Sequence, residues 1–147
     1  ATIELQNVLQ LDAASAEGRW LLGTIYLDTG DILAAEKELQ RAQELGWNAD
    51  DVRPALAKTL LAQGKFADVL RLDIQDLNTA AAAELLVSQA YAQMGEGQVD
   101  KARELVVLAL GKEPQSQEAK LAQATIFMQE RDPAERYAEF FRDEHGQ

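Results

Sequence analysis

The chain has 147 residues, of which 47% are hydrophobic, and it carries a formal net charge of −11 at pH 7. This length suits one domain or a short series of helical repeats, and the negative charge disfavours nucleic acid and anionic lipid surfaces as partners. The absence of cysteine excludes disulfides, thiol catalysis and thiolate-bound metals. No apolar run approaches the roughly 20 residues that cross a bilayer, so no direct membrane insertion is expected.

Residues 1–15 are predicted to form one amphipathic helix. Leu5, Val8 and Leu9 lie on one face of it at helical spacing. In a row of helix pairs, each made of a helix A followed by a helix B, this segment corresponds to a helix B whose helix A is missing. We therefore predict a truncated repeat here, and we expect the exposed apolar face to be the contact of a homodimer.

Residues 16–49 are the best-defined predicted unit, a pair of antiparallel helices that meet at a turn. Gly30 follows the first helix, where a positive φ is needed to end it, and Asp31 caps the second helix. Gly23 allows the two helices to approach closely, and Tyr26 fills the space between them one turn later. Each residue type therefore has a place in a helical hairpin.

The same residue types recur along the chain at intervals of about 34 residues, which is the period of the tetratricopeptide repeat (TPR). The sequence therefore predicts an all-α fold, a TPR-type right-handed helical solenoid of antiparallel helix pairs that spans residues 1–147. The recurring positions are the turn glycines Gly30, Gly64 and Gly95, the small residues Gly23, Ala57, Ser88 and Ala124, the core residues Tyr26, Leu60, Tyr91 and Phe127, and the helix B residues Ala35, Val69 and Ala102.

Three later units depart from the pattern in different ways. Range 50–80 is a short repeat, whose helix B is expected to end before Asp73. Range 81–116 is a repeat with a two-residue insertion in its turn, and Pro114 ends its helix B. Range 117–147 is a degenerate C-terminal repeat or cap, in which a helix from Pro133 to about Arg142 presents Tyr137 and Phe141.

The opening half resembles one group of TPR proteins. The strings IELQNVLQLDAASAEGRWLLGTIYLDTGDILAAEKELQRAQELG and VRPALAKTLLAQGKFADVL are similar to the PEP-CTERM system TPR-repeat lipoproteins of bacteria. This resemblance implies a longer parent chain with a lipid-modified cysteine, an envelope location, and a role in exopolysaccharide export or PEP-CTERM protein sorting. A cytoplasmic location remains an alternative.

No pattern of catalytic, metal-binding or cofactor-binding residues stands out, so an enzyme is not predicted. His145 is the single histidine, and no nucleophile is phased with it. Residues 28–31 with Glu36 superficially resemble a calcium loop but lack the alternating acids that such loops use. The pair Asp50 and Asp51 is predicted to cap the next helix A, with Pro54 close to its first turn.

The predicted site is a concave groove lined by the helices A, which would bind a peptide or protein segment. Its lining is expected to be apolar or uncharged, with Trp20 as the anchor and binding only weakly sensitive to salt. The predicted lining residues are Trp20, Thr24, Leu27, Asp28, Lys58, Leu61, Leu85, Gln89, Gln93 and Thr125.

The expected function is that of a non-catalytic protein–protein interaction scaffold. A clamp for a C-terminal carboxylate is excluded, because Trp20, Thr24, Ala55, Ala82 and Leu86 occupy the positions where such clamps have charged donors. Two alternatives remain open: a self-association module, and an accessory domain of a larger enzyme.

Overall fold

The structure, a computed structural model, describes residues 15–131 and the isolated helical residue Arg142. Within this part of the chain every regular element is an α-helix and no strand occurs, so the all-α prediction is confirmed. The helices are α1 (Ala16–Thr29), α2 (Ile32–Glu44), α3 (Ala49–Ala62), α4 (Phe66–Leu70), α5 (Thr79–Gly95), α6 (Val99–Lys112) and α7 (Gln117–Glu130).

Two predictions fall outside the described residues. One is the helix of residues 1–15 with its apolar face at Leu5, Val8 and Leu9, of which the structure describes only Ser15. The other is the C-terminal helix with Tyr137 and Phe141. His145 lies outside the described residues as well. These expectations stay predictions.

The described helices form a row. The most extensive contacts join α1 to α2 and α5 to α6, and a short turn connects the helices of each pair, so the partners run antiparallel. Further contacts join α3 to both α2 and α5, and α7 to both α5 and α6. Contacts therefore join helices that are neighbours or next but one in the chain.

Helices α3 and α5 lie side by side and run parallel. Near their starts, the Asp50 carboxylate accepts a hydrogen bond from the Asn78 backbone N–H at 2.8 Å. Further along, the Lys58 ammonium lies 3.6 Å from the Glu84 carboxylate. Since both links advance in the same direction along the two helices, their amino-terminal ends lie at the same edge of the row.

The α1–α2 hairpin forms as its sequence predicts. Gly30 ends α1 at a φ of 85°, and the Asp31 side chain accepts a hydrogen bond from the backbone N–H of Ala34. A Cβ atom on Gly23 would lie 2.7 Å from Cγ of Leu39, which is fully buried. Only glycine therefore allows this approach, and the close contact positions the two helices.

The start of α3 differs from the prediction. Its cap is Asn48, whose side chain accepts a hydrogen bond from the Asp50 N–H at 3.0 Å. Asp50 and Asp51 lie inside the first turn, where the helix dipole favours carboxylates. Pro54 lies beyond that turn and is buried, so its expected place close to the first turn was wrong. Asparagine and aspartate cap about equally well, which is why the sequence did not discriminate between them.

The short helix B of the second unit is confirmed. Helix α4 has five residues, and residues 71–78 form no helix. The Arg53 guanidinium donates hydrogen bonds to the carbonyl oxygens of Asp73 and Gln75, both at 3.0 Å. Because Arg53 lies on α3, these bonds fasten the irregular segment to a helix of the row.

The two-residue insertion lengthens a helix instead of a turn. Helix α5 continues through Gly95, and the left-handed glycine is Gly97, with a φ of 78°. The predicted role of Gly95 as the turn glycine was therefore wrong. The interval from Gly64 to Gly97 is only one residue shorter than the interval from Gly30 to Gly64, so the turns recur more regularly than the sequence predicted.

Gly95 is needed for a different reason. A Cβ atom there would lie 2.4 Å from two ring carbons of Phe66, the first residue of α4. When positions are counted from Gly97, Ala90 is the small residue where α5 meets α6, and it is fully buried. The predicted small residue, Ser88, was therefore wrong. The Phe66 ring and the closely packed alanine together determine how α5 lies in the row.

Substituting Gly97 tests where the turn lies. Gly97→Ala should lower the free energy of unfolding by about 1–2 kcal/mol, because a left-handed φ is unfavourable for an L-residue with a Cβ. Chemical denaturation followed by circular dichroism measures it. Gly111→Ala is the matched control: Gly111 lies inside α6 with open space around it, so alanine should stabilise by up to about 1 kcal/mol. A neutral or stabilising Gly97→Ala would contradict the assignment.

Two predicted packing residues on α7 are exposed. Ala124 was expected at a close helix crossing, and Phe127 was expected in the core between helices. The structure leaves Ala124 exposed and Phe127 56% exposed. The buried side of α7 consists of Ala119, Ala122 and Ile126, which pack with residues of α5 and α6. The prediction for Ala124 and Phe127 was therefore wrong for the described part of the chain.

Candidate functional site

Helices α1, α3, α5 and α7 occupy alternate places in the row and correspond to the predicted helices A. Gly30, Gly64, Gly97 and Arg131 follow the ends of these four helices. Positions on the four helices can be compared by counting back from these four residues. Two residues are equivalent when each precedes its own reference residue by the same number of positions. This register replaces the predicted one, which took Gly95 as the third turn.

One of these equivalent places is acidic in all four helices, with Glu17, Asp51, Glu84 and Glu118. Glu17, Asp51 and Glu118 lie in the first turn of their helices, where the helix dipole stabilises a carboxylate without any ligand. Glu84 lies further into α5, beyond the reach of that effect. Helix stability accordingly accounts for three of the four acids.

A cleft of about 560 Å³ opens at the amino-terminal ends of α3, α5 and α7. Five of its lining residues are carboxylates, and no lysine or arginine is among them. The surface around the cleft is therefore negative. The lining consists of Asp50, Asp51, Asn78, Ala80, Ala81, Ala83, Glu84, Glu113, Gln115, Ser116, Gln117 and Glu118.

Most of the acids around the cleft already have a polar neighbour. Since a carboxylate has two oxygens and can accept several hydrogen bonds, these contacts leave each of these lining residues with further acceptor capacity. The contacts are those of Asp50 with the Asn78 backbone N–H, of Asp51 with the Trp47 indole N–H at 3.1 Å, of Glu84 with the Lys58 ammonium, and of Glu113 with the Thr79 hydroxyl at 3.0 Å.

The predicted groove residues of α1 lie at its surface, with different degrees of exposure. Trp20 is partly buried and stacks on Trp47, with ring centroids 5.9 Å apart. Thr24 and Leu27 are partly buried as well, whereas Asp28 is exposed. Because Trp20 packs on another tryptophan, its side chain is only in part available to a partner.

The remaining helices hold the other predicted groove residues in mixed surroundings. Lys58 is exposed and pairs with Glu84, and Leu61 packs against the core cluster around Val69. Gln93 is partly buried. Thr125 is partly buried too, and its hydroxyl donates to the Leu121 carbonyl. The predicted residues are thus not brought together into one accessible lining.

Leu85 and Gln89 were predicted in the groove, and the structure contradicts this. Leu85 is fully buried, and Gln89 is only 7% exposed. The Gln89 side-chain amide donates to the carbonyl oxygens of Val69, at 3.2 Å, and Leu72, at 2.8 Å. Ten of the 17 residues of α5 are buried, because the helix packs on α3 and α4 on one side and on α6 and α7 on the other.

The cause of this error is the position of the turn. Counting back from Gly95 places Leu85 and Gln89 on the outer face, whereas counting from Gly97 moves every position by two residues, or about 200° around the helix. The equivalent of Thr24 is then Tyr91, which is partly buried, and the equivalent of Glu17 is Glu84. The acidic series Glu17, Asp51, Glu84 and Glu118 has the spacing of the correct register, so the sequence alone could have shown that Tyr91 and Glu84 are the equivalent residues of α5.

The cleft is a different surface from the predicted groove, because none of the predicted lining residues borders it. The cleft is bounded by five carboxylates, so its electrostatic potential is negative. Its polar lining lies mainly at the helix starts, whereas the predicted residues lie towards the middle of the helices. Sensitivity to salt is therefore expected for a charged partner at the cleft, whereas binding in the predicted groove is expected to be only weakly sensitive to salt.

Within residues 15–131 no group of three or more acidic or histidine side chains is placed to hold a metal ion. The Glu36 carboxylate, a candidate in the calcium-like sequence, accepts hydrogen bonds from Gln63 at 2.7 Å and from Lys65. It therefore links α2 to the end of α3.

Across the described part of the chain, none of the helices has the length and apolar character needed to cross a membrane.

Neither the models of known protein families nor the sequences of characterised proteins give a match to this chain.

Proposed function

We propose that the protein is a non-catalytic interaction scaffold, a TPR-type right-handed solenoid that binds a peptide or protein segment along α1, α3, α5 and α7. The observation that carries this proposal is the cleft between three adjacent helix starts. Such a cleft results from repetition, because equivalent helices that recur at a nearly constant interval lie side by side and leave a furrow between them. A repeated furrow suits an extended or helical segment better than a compact small molecule.

The charge of the cleft restricts the partners that fit. An acidic tail or a nucleic-acid backbone would be repelled by the five carboxylates and by the overall charge of −11. A segment that carries lysine or arginine can pair with the carboxylates while its backbone amides contact their free oxygens. We therefore propose a basic or neutral segment as the occupant, and we expect salt to weaken a basic one.

The setting of this scaffold is proposed from the sequence resemblance alone. The similarity to PEP-CTERM system TPR-repeat lipoproteins supports a role in exopolysaccharide export or protein sorting in a bacterial envelope. An accessory role beside a catalytic domain on a longer parent chain is an alternative. Self-association is the other one, and its predicted contact at Leu5, Val8 and Leu9 lies outside the described residues.

The site is tested by blocking the cleft. Ala80 is an exposed residue of its lining, so Ala80→Arg would fill part of the cleft and reverse part of its charge. The probe is a peptide selected from a random displayed library on the wild-type protein. Ala80→Arg should weaken its binding at least about tenfold, which corresponds to about 1.4 kcal/mol, as measured by titration calorimetry.

Ala67→Arg is the matched control, because Ala67 belongs to α4 and lies outside the cleft. This substitution should leave the affinity unchanged. Equal affinities for wild type and Ala80→Arg would place the binding surface elsewhere, and failure to select any peptide would count against a peptide-binding scaffold. Circular dichroism of both variants checks that the fold is intact.

A further inference from the structure

Each of the helices α1, α3, α5 and α7 carries a large apolar residue three positions before its reference residue. These four residues, which form what we call the apolar ladder, are Leu27, Leu61, Met94 and Met128. The first three are partly buried, and Met128 is 46% exposed. Leu61 and Met94 also pack against core clusters. The ladder is therefore a row of apolar side chains at the surface of the described helices, and part of its area remains accessible.

The apolar ladder shares a face of the helices with the acidic series. In every one of the four helices the ladder residue follows the acid by ten positions. At a rise of 1.5 Å per residue, this interval places the two rows about 15 Å apart along the helices, and at about 100° per residue they differ by about 80° around them. The acids therefore form one edge of this face, and the apolar ladder forms the other.

Helix α7 leaves the apolar part of this face most open. Leu121 is 63% exposed and Met128 is 46% exposed, and both lie on the same side of the helix as Glu118, because intervals of three and seven residues return to one side. Neither apolar residue lines the groove between α6 and α7, which the Arg103–Glu130 ion pair bridges. Leu121 and Met128, the exposed strip of α7, therefore indicate a contact surface.

The charge beside the ladder identifies the kind of partner. Five carboxylates and no lysine or arginine line the cleft at the acidic edge, and the whole chain carries a net charge of −11. The Lys58–Glu84 pair at this edge joins side chains that are 43% and 44% exposed, and an ion pair of this kind contributes little, so a cation of the partner can replace Lys58. The complementary partner is basic at one edge and apolar at the other.

We propose that the partner is an amphipathic helix, with basic side chains along one edge and apolar side chains along the other, which lies across α1, α3, α5 and α7. This inference rests on the proposed function and specifies the segment that the scaffold binds. A helix with its side chains is about 10–12 Å across, and the long stems of lysine and arginine extend its reach, so one helix contacts both rows. Packed helices have axes about 8–10 Å apart, and residues seven positions apart on the partner lie about 10.5 Å apart on one side, so they would meet successive helices of the row.

A pair of synthetic peptides tests this partner. The first is a helix-forming peptide of about 18 residues with leucine and lysine on separate edges, and the second has the same composition in an order that mixes the two edges. Because both peptides carry the same charge, the comparison isolates the amphipathic pattern. Titration calorimetry should show that the first peptide binds the wild-type protein at least about tenfold more tightly than the second.

Variants of the exposed strip locate the contact. Leu121→Lys/Met128→Lys replaces apolar contacts by charges that repel a basic partner, so it should weaken binding of the first peptide at least about tenfold. Leu33→Lys/Leu108→Lys is the matched control, because it adds the same charge at leucines of α2 and α6 that are 71% and 54% exposed. Its effect should stay below about threefold, since salt screens distant exposed charges. Circular dichroism of both double variants checks that the fold is intact.

Equal affinities for the two peptides, or equal losses in the two double variants, would overturn the proposal. It is also overturned if light scattering shows that the wild type self-associates and that Leu121→Lys/Met128→Lys does not, because a second copy then occupies the strip. The peptide selected from the library judges the proposed function separately. If that peptide binds and responds to Ala80→Arg while the amphipathic peptide does not bind, the scaffold stands and this partner is wrong. If neither peptide binds, both proposals fail.

Discussion

Leu85→Ala should lower the free energy of unfolding by about 3 kcal/mol, the cost typical of truncating a buried leucine. Leu85 is fully buried in the cluster with Ala57, Leu60 and Val69, where α5 meets α3 and α4. Removing its terminal carbons loses apolar burial and leaves a cavity, because the closely packed helices around it relax only in part. Urea denaturation followed by far-UV circular dichroism measures the change.

The matched control is Leu121→Ala, the same truncation at a leucine that is 63% exposed. Its effect should stay within about 0.5 kcal/mol. The comparison tests the burial of Leu85 against the prediction that it lines a binding groove. Similar small effects for both variants would support the groove prediction and would contradict the packing of α5 between its neighbours.

The α1–α2 hairpin could be predicted from sequence because its signals are local. A glycine directly after the helix, an aspartate that caps the next helix, and the small residue Gly23 each act over a few residues. Short-range capping does not depend on what packs around the hairpin. The limits of these two helices and the roles of their turn residues were therefore within reach of sequence reasoning.

The position of the third turn could not be predicted in this way, because two glycines lie close to the end of α5. Gly95 and Gly97 are separated by a single residue, and either could adopt a positive φ. The Phe66 ring explains why residue 95 is a glycine although it lies inside α5, since the ring packs where a side chain at position 95 would lie. This contact joins α4 to the end of α5, two segments that are distant in sequence, so no local pattern reveals it. Every error on α5 follows from that one choice.

The acidic series shows what a correct register would have revealed. Asp51 and Glu84 become equivalent only when Gly97 is taken as the turn glycine. With Gly95 in that role, Glu84 matches Arg53, and the series is lost. The helix B residues Val69 and Ala102 are separated by the same interval as Gly64 and Gly97, so the sequence did contain the right register. In this chain, the spacing of the helix B positions therefore predicts the register of the repeats better than the spacing of the turn glycines that were chosen.

Gln89→Ala is expected to lower the free energy of unfolding by about 3 kcal/mol, through hydrogen bonds instead of apolar packing. The Gln89 amide donates to the carbonyl oxygens of Val69 in α4 and of Leu72 just after this helix, and its side chain is nearly fully buried. Alanine would remove both bonds. The Val69 carbonyl oxygen would keep its hydrogen bond from the Leu72 backbone N–H, whereas the Leu72 carbonyl oxygen would lose the Gln89 donor, and a buried polar group without a partner costs about 1–3 kcal/mol. Helix α4 has only five residues and also packs on α5 through apolar side chains such as Phe66 and Val69, so the two hydrogen bonds add to that attachment.

Gln123 provides the control, because it occupies the equivalent place on α7 and is exposed. Gln123→Ala should change the free energy of unfolding by less than about 0.5 kcal/mol. Hydrogen exchange adds a local measurement: Gln89→Ala should speed exchange of the amides just after α4, such as that of Leu72, more than those of α1. If both glutamine variants behaved alike, the Gln89 side chain would be free to meet a partner, as the groove prediction required. A large difference would instead assign Gln89 to the fold, because the loss of its hydrogen bonds to Val69 and Leu72 would then account for the loss of stability.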